Sequence, residues 1–153
     1  MQRRQLLGAA LATLAGAAMA QTVPTDKPPL LQVWKDPNCG CCKDWVKHLE
    51  QAGFAVRVYD TGNEAKRAAL GIPQTLGSCH TGVVGGYAIE GHVPAKDIQR
   101  LLREKPKALG LSVPGMPIGS PGMDSAIYKG RKDPFDVLLV AANGNSTVFQ
   151  SYR

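Results

Sequence analysis

The sequence predicts an α/β fold, and three observations predict it. Short β-prone apolar runs alternate with segments of helical periodicity as far as Glu104. A Gly85-Gly86 pair between two such runs marks a two-residue hairpin turn. Gly53, Gly71 and Pro106 each fall where a helical segment should end.

Taken in order, Leu30-Leu31-Gln32-Val33-Trp34 is the first strand, and Lys35-Asp36-Pro37-Asn38 is its closing turn cluster. From Lys43 to about Gln51, Trp45, Val46 and Leu49 recur at helical spacing. Ala55-Val56-Arg57-Val58-Tyr59 alternates as a strand, and Asn63 caps a short helix through Leu70. Thr81 to Val93 reads as a hairpin, with Val83-Val84 and Tyr87-Ala88-Ile89 flanking the glycines. Ala95 to Glu104 is helical, with Ile98, Leu101 and Leu102 on one face. The order βαβαββα, a parallel pair linked by a helix and followed by a hairpin and a covering helix, is the thioredoxin-like arrangement. From about residue 107 the texture changes. Leu111 to Met123 is a Gly/Pro/Met-rich loop, and Phe135 to Ala141 and Ser146 to Ser151 flank an Asn143-Gly144 turn. This stretch is expected as a loop and β-hairpin appendage on the core of a single domain, residues 30–153.

Residues 1–20 are expected to be a cleaved signal peptide. Arg3 and Arg4 form a basic start, Leu6 to Ala18 an apolar run too short to span a bilayer comfortably, and Ala18-Met19-Ala20 a small-x-small cleavage site. The arginine pair is compatible with either the general or the twin-arginine export route. Residues 21–29 read as a flexible lead-in. Dropping Arg3 and Arg4 from 18 basic residues, against 12 acidic ones, leaves a formal charge of +4. That excess is scattered, with no basic stripe interleaved with aromatics, which argues against nucleic acid as a partner. No Ser-His-Asp pattern, paired-carboxylate site or phosphate loop points to hydrolytic or phosphoryl chemistry.

The chemistry is concentrated in cysteine. Three of the four cysteines lie in Cys39-Gly40-Cys41-Cys42, between a strand and a helix, and the fourth is Cys79, followed by His80. A helix N-terminus favours thiolate over thiol, so such cysteines serve as nucleophiles or soft-metal ligands. Cys39 and Cys42 form a C-x-x-C pair, the redox motif of a thiol–disulfide oxidoreductase in a βα context. Cys41 invites scrambled disulfides in that role, yet as a third thiolate on one loop it suits a metal. Thiolate-rich sites select Cu(I), zinc or iron–sulfur clusters. Structural zinc usually takes two separated ligand pairs, so Cu(I) leads. His80, His92, Met116 and Met123 are further candidate ligands, with surface or packing roles as their ordinary alternatives. His48 is expected to face solvent, and Trp34 and Trp45 to be rim or core aromatics. Two structural disulfides, in any of three pairings, remain a further alternative.

Four stretches carry a resemblance. They are Val33 to Cys42, Ser78-Cys79-His80-Thr81, Glu90-Gly91-His92-Val93-Pro94 and Val113 to Met123. Together they resemble the periplasmic copper-resistance family often called CopG (not the transcriptional repressor of that name), long catalogued only as a domain of unknown function. The resemblance implies a thioredoxin-like fold, export to the periplasm, and a copper site on Cys39, Cys41, Cys42 and Cys79. His80, His92 and the loop methionines come with it as weaker candidates. More than one copper per chain is an option because adjacent thiolates can bridge metals. It also implies Cu(I)/Cu(II) redox activity, with other periplasmic copper-handling proteins as partners.

Overall fold

Alternating side chains make the first strand. In the computed structural model, which describes residues 27–153, Leu30–Lys35 (β1) turns Leu31, Val33 and Lys35 inward. The expected signal peptide and residues 21–26 of the lead-in lie outside the described residues. Gly40–Gln51 (α1) follows and buries Cys42, Trp45 and Leu49, spaced three and four residues apart on one face. It crosses over to Ala55–Tyr59 (β2), which pairs with β1 in parallel. Glu64–Ala69 (α2) and a 3-10 turn at Gln74–Leu76 then lead into His80–Val84 (β3). β3 lies antiparallel to β1, with His80 opposite Lys35. Tyr87–Glu90 (β4) completes the hairpin, and Ala95–Glu104 (α3) packs Ile98 and Leu101 into the core.

The remaining strands are Gly110–Ser112 (β5), Phe135–Val140 (β6) and Ser146–Tyr152 (β7). β5 runs parallel to β4 and antiparallel to β6, so one mixed seven-stranded sheet runs β2-β1-β3-β4-β5-β6-β7. Three α-helices accompany it among the described residues. Leu31, Val33, Trp45, Leu49, Ile89, Ile98, Leu101, Leu111 and Val137 share one buried cluster.

Two differences from expectation bear on the site and the sheet. The first helix begins at Gly40 rather than Lys43, so Cys41 and Cys42 belong to its first turn. Helical spacing of apolar residues starts only at Trp45, while the helix start is set by a turn upstream. The second difference is β5, which lies partly within the stretch read as a loop. Its three residues are too few to show a period, and its pairing on both sides supplies what local pattern lacks. Through β5 the C-terminal hairpin extends the central sheet, where an appendage packed on the core was expected. Asn63 does stand at the N-cap of α2, but its side chain makes no cap bond there. It reaches instead for the Ser78 carbonyl and the Thr81 hydroxyl, each 3.1 Å away.

Candidate metal centre

Asp36 sets up the site. Its carboxylate accepts from Asn38 N–H at 2.8 Å and its carbonyl from Cys39 N–H at 3.1 Å. This Asx-type turn delivers the chain into α1 with Cys39 at the N-cap. Cys41 and Cys42 follow in the first turn, where backbone N–H groups are unpaired and the helix end is positive. Cys42 is buried, while Cys39 and Cys41 are partly exposed. Cys39 and Cys42, three apart, share a face, and their sulfurs are joined in a disulfide with Cα atoms 5.4 Å apart. Cys41 and Cys79 are free thiols.

The antiparallel pairing of β3 with β1 brings the start of β3 beside the strand end that leads into α1. Cys79, one residue before β3, therefore meets the helix cysteines across 37 positions of sequence. Its sulfur lies 3.5 Å from that of Cys42 and 4.0 Å from that of Cys41, which is 3.5 Å from that of Cys39. All four sulfurs fall within 4.8 Å of one another. Burial, then the neighbouring Cys41, push the Cys79 thiol up to about 12.

Cys79 also belongs to a second group. His92 Nε2 is 3.1 Å from its sulfur and His80 Nδ1 is 3.3 Å away. His92 Nδ1 lies 2.8 Å from the Pro121 carbonyl, which can only accept. Nδ1 therefore carries the proton, and Nε2 presents a lone pair to Cys79. His80 is fully buried, its ring tilted against that of Trp45 with centroids 4.2 Å apart, and among the described residues its Nε2 has no partner. Burial, and then the charge of His92, hold His80 well below the ordinary histidine range; burial lowers His92 as well. One thiol proton cannot compensate this trio. If Cys79 donates to His92, His80 must turn Nδ1–H toward the sulfur and leave a buried lone pair on Nε2. If it donates to His80, the lone pair of His92 faces a bare sulfur. A cation among the three atoms would engage the sulfur and both facing nitrogens at once, with the proton of His80 then on Nε2.

The loop after β5 closes over this end of the sheet. Gly122 has φ +84°, and a Cβ there would stand 2.5 Å from the Cys41 carbonyl oxygen and 2.8 Å from Trp45 N. Gly91, at φ +71°, likewise lets Ser78 and the Val113 carbonyl approach where a Cβ would collide with both. The two loop methionines part company. Met123 is buried, its sulfur accepting from the Tyr128 hydroxyl at 3.7 Å, whereas Met116 is 52 % exposed.

His48 departs from expectation. It is half-buried, and its Nε2 accepts from Ala95 N–H at 3.0 Å, so it joins α1 to the start of α3 instead of facing solvent. Trp45 is fully buried and donates to the Val93 carbonyl at 2.9 Å; Trp34 lies at the rim, stacked on Tyr59. The residues that sequence reasoning missed are Arg67 and Glu90. Both are buried beside Ser78, with Arg67 Nη1 3.0 Å from Glu90 Oε1. Arg67 sits in a polar hexapeptide helix where a charged side chain ordinarily points to water, so no local signal marks it.

Comparison with known proteins bears on this geometry. A family model described as a protein of unknown function, DUF411, matches residues 76–123, which include Cys79, His80, His92 and both loop methionines. No curated protein matches the chain. Among solved structures, one titled copper resistance protein copG, form 2, is 45 % identical with a TM-score of 0.76. The match covers 83 % of this chain and all of the other. Form 1 is 46 % identical with the same TM-score, covering 82 % of this chain and 98 % of that one.

Proposed function

The chain belongs to the CopG-type copper-resistance family, and on that premise we propose that it is an exported protein that binds Cu(I) on its cysteine cluster. It then sequesters the ion or relays it to other copper-handling proteins of the periplasm. The observation that carries this reading is the convergence of four cysteine sulfurs within 4.8 Å, with Cys79 shared by a second group containing His80 and His92. A single tetrahedral zinc would be saturated by four cysteines and would leave the histidine nitrogens uncompensated. Cu(I) accepts few ligands and bridging thiolates, so Cys79 can serve both groups and hold more than one ion. Met116, exposed on the loop, is a candidate for a weaker thioether contact, and the engaged sulfur of Met123 is a poorer one.

The bonded Cys39–Cys42 pair fits this reading as the oxidised form of the site. Two electrons and two protons convert it to two thiols, which lose their protons on binding metal. In reverse, two Cu(II) ions meeting the reduced pair take one electron each as the disulfide closes, giving two Cu(I). Support for a thioredoxin-like core comes from the β2-β1-β3-β4 order, with α1 joining the parallel pair and α3 following the hairpin. Export rests on the leader pattern of residues 1–20; among the described residues no helix is long and apolar enough to cross a membrane.

The same disulfide favours a second reading, thiol–disulfide exchange through Cys39 and Cys42. That chemistry needs only the C-x-x-C pair, and it gives no role to the free thiols of Cys41 and Cys79 that stand 3.5 Å from the sulfurs of Cys39 and Cys42.

The test is copper content against free thiols. The chain from Gln21 onward is purified reduced and without oxygen, offered Cu(I) and Zn(II) in competition, and assayed by elemental analysis. One or more coppers per chain, with thiols protected from alkylation, is expected, together with loss of copper in Cys41→Ser. Undiminished copper in that variant, or a copper-free protein cycling a Cys39–Cys42 disulfide, would favour exchange.

A further inference from the structure

Cys79 is the one sulfur of the cluster carried neither by α1 nor by its N-cap, and the chain that carries it is irregular. Residues 77–79 belong neither to the 3-10 turn before them nor to β3 after them. Side chains hold this segment. Ser78 N–H donates to Glu90 Oε1 at 2.7 Å, and the Ser78 carbonyl accepts from Arg67 Nη1 at 3.0 Å and Asn63 Nδ2 at 3.1 Å. The second oxygen of Glu90 accepts from the Thr81 hydroxyl at 2.6 Å. All four contributing side chains, Asn63, Arg67, Thr81 and Glu90, are buried.

Both faces of one residue's backbone, immediately before Cys79, are thus gripped from two directions, by α2 and by β4. A buried ion pair is a poor source of net stability, because desolvating two charges offsets much of their attraction. What such a pair supplies well is fixed geometry, since each partner has only one arrangement that satisfies the other. The peptide unit being fixed is the one that orients Cys79 toward the helix sulfurs.

We infer that Arg67 and Glu90, braced by Asn63 and Thr81, are positioning residues for Cys79, holding its sulfur at the cluster so that copper binds without first ordering the loop. The inference rests on the reading of Cys79 as a copper ligand. Outer partners that orient a ligand typically contribute 10- to 100-fold in metal affinity.

The experiment compares Thr81→Val, Thr81→Ser, Arg67→Lys, Arg67→Met and Cys79→Ser with the parent protein. Each is read by Cu(I) competition with a chelator, by alkylation of Cys79 relative to Cys41 in the reduced metal-free protein, and by melting temperature. Thr81→Val is expected to weaken copper binding by about 10-fold and raise the relative alkylation of Cys79, with Thr81→Ser restoring both. Arg67→Met should do the same more severely and Arg67→Lys less so. Should Arg67→Met fail to fold, the Thr81 pair still decides. If Cys79→Ser loses copper while Thr81→Val and Arg67→Lys change only the melting temperature, the positioning role is overturned. If Cys79→Ser keeps copper at full affinity, the ligand reading itself fails, whatever the other variants do.

Discussion

Gly122 shows how far one residue decides the shape of this site. Its positive φ and missing side chain let the loop lie directly on the first turn of α1, against the Cys41 carbonyl and the Trp45 amide. That seat also brings the preceding Pro121 carbonyl to His92 Nδ1, fixing which imidazole nitrogen faces Cys79. Gly122→Ala is expected to lift the loop, costing about 1–3 kcal/mol from the left-handed backbone alone, with the backbone collision in addition. It should also loosen the hold on His92. A denaturation midpoint and a Cu(I) affinity both equal to the parent's would show that the loop is not seated as described.

At the scale of elements, α1 and α3 meet through His48. Its Nε2 accepts the Ala95 amide, one of the N–H groups that a helix start leaves unpaired. Burial lowers its pKa below the ordinary 6.5, against the pull of Asp124. The folded protein therefore takes up this proton less readily than the unfolded chain. The contribution is fully present above about pH 6.5 and is lost as the pH falls from there toward the lower folded value. His80 and His92 are shifted in the same direction, so the metal-free protein as a whole should lose stability on mild acidification. Comparison with His48→Gln, whose amide oxygen can still accept from Ala95, isolates the share of one ring. Between pH 7 and pH 5 the melting temperature of the parent should drop by more than that of the variant. Parallel curves would remove His48 from the account.

Across the whole molecule, the sheet joins the C-terminal hairpin to the strands that carry the site. β5 is the short link, hydrogen-bonded to β4 on one side and β6 on the other, and its Leu111 is fully buried. Copper held by both α1 and the Cys79 segment would couple those parts further, because an ion that binds only the folded state stabilises all of it. Free Cu(I) at 100 times its dissociation constant should add about 2.7 kcal/mol to the stability of the reduced protein, seen as a higher melting temperature that a chelator reverses. No rise on copper addition would mean that the ion binds the unfolded thiols as well as it binds the folded site.

Much of this protein was written locally. The alternation in β1, the strand at β2, the Gly85-Gly86 turn and the amphipathic α3 follow from neighbouring residues, because strand and helix periods are short-range properties. So does the nomination of Cys39, Cys41 and Cys42, since thiols grouped at a helix start are few and chemically distinct, and Cys79 joins them as the one other cysteine of the sequence. That Cys79 shares their site was implied by the resemblance; the tertiary structure alone decided how close its sulfur comes to the other three, that His80 and His92 both turn to it, and that Met116 and Met123 part. It also placed His48 between helices, recruited β5 into the sheet, and buried Arg67 against Glu90. Each of these depends on partners far away in sequence, and a charged residue on a short polar helix looks the same whether it will face water or a buried carboxylate. Periodicity tells a side chain which face it is on; only the packed chain determines what it meets there.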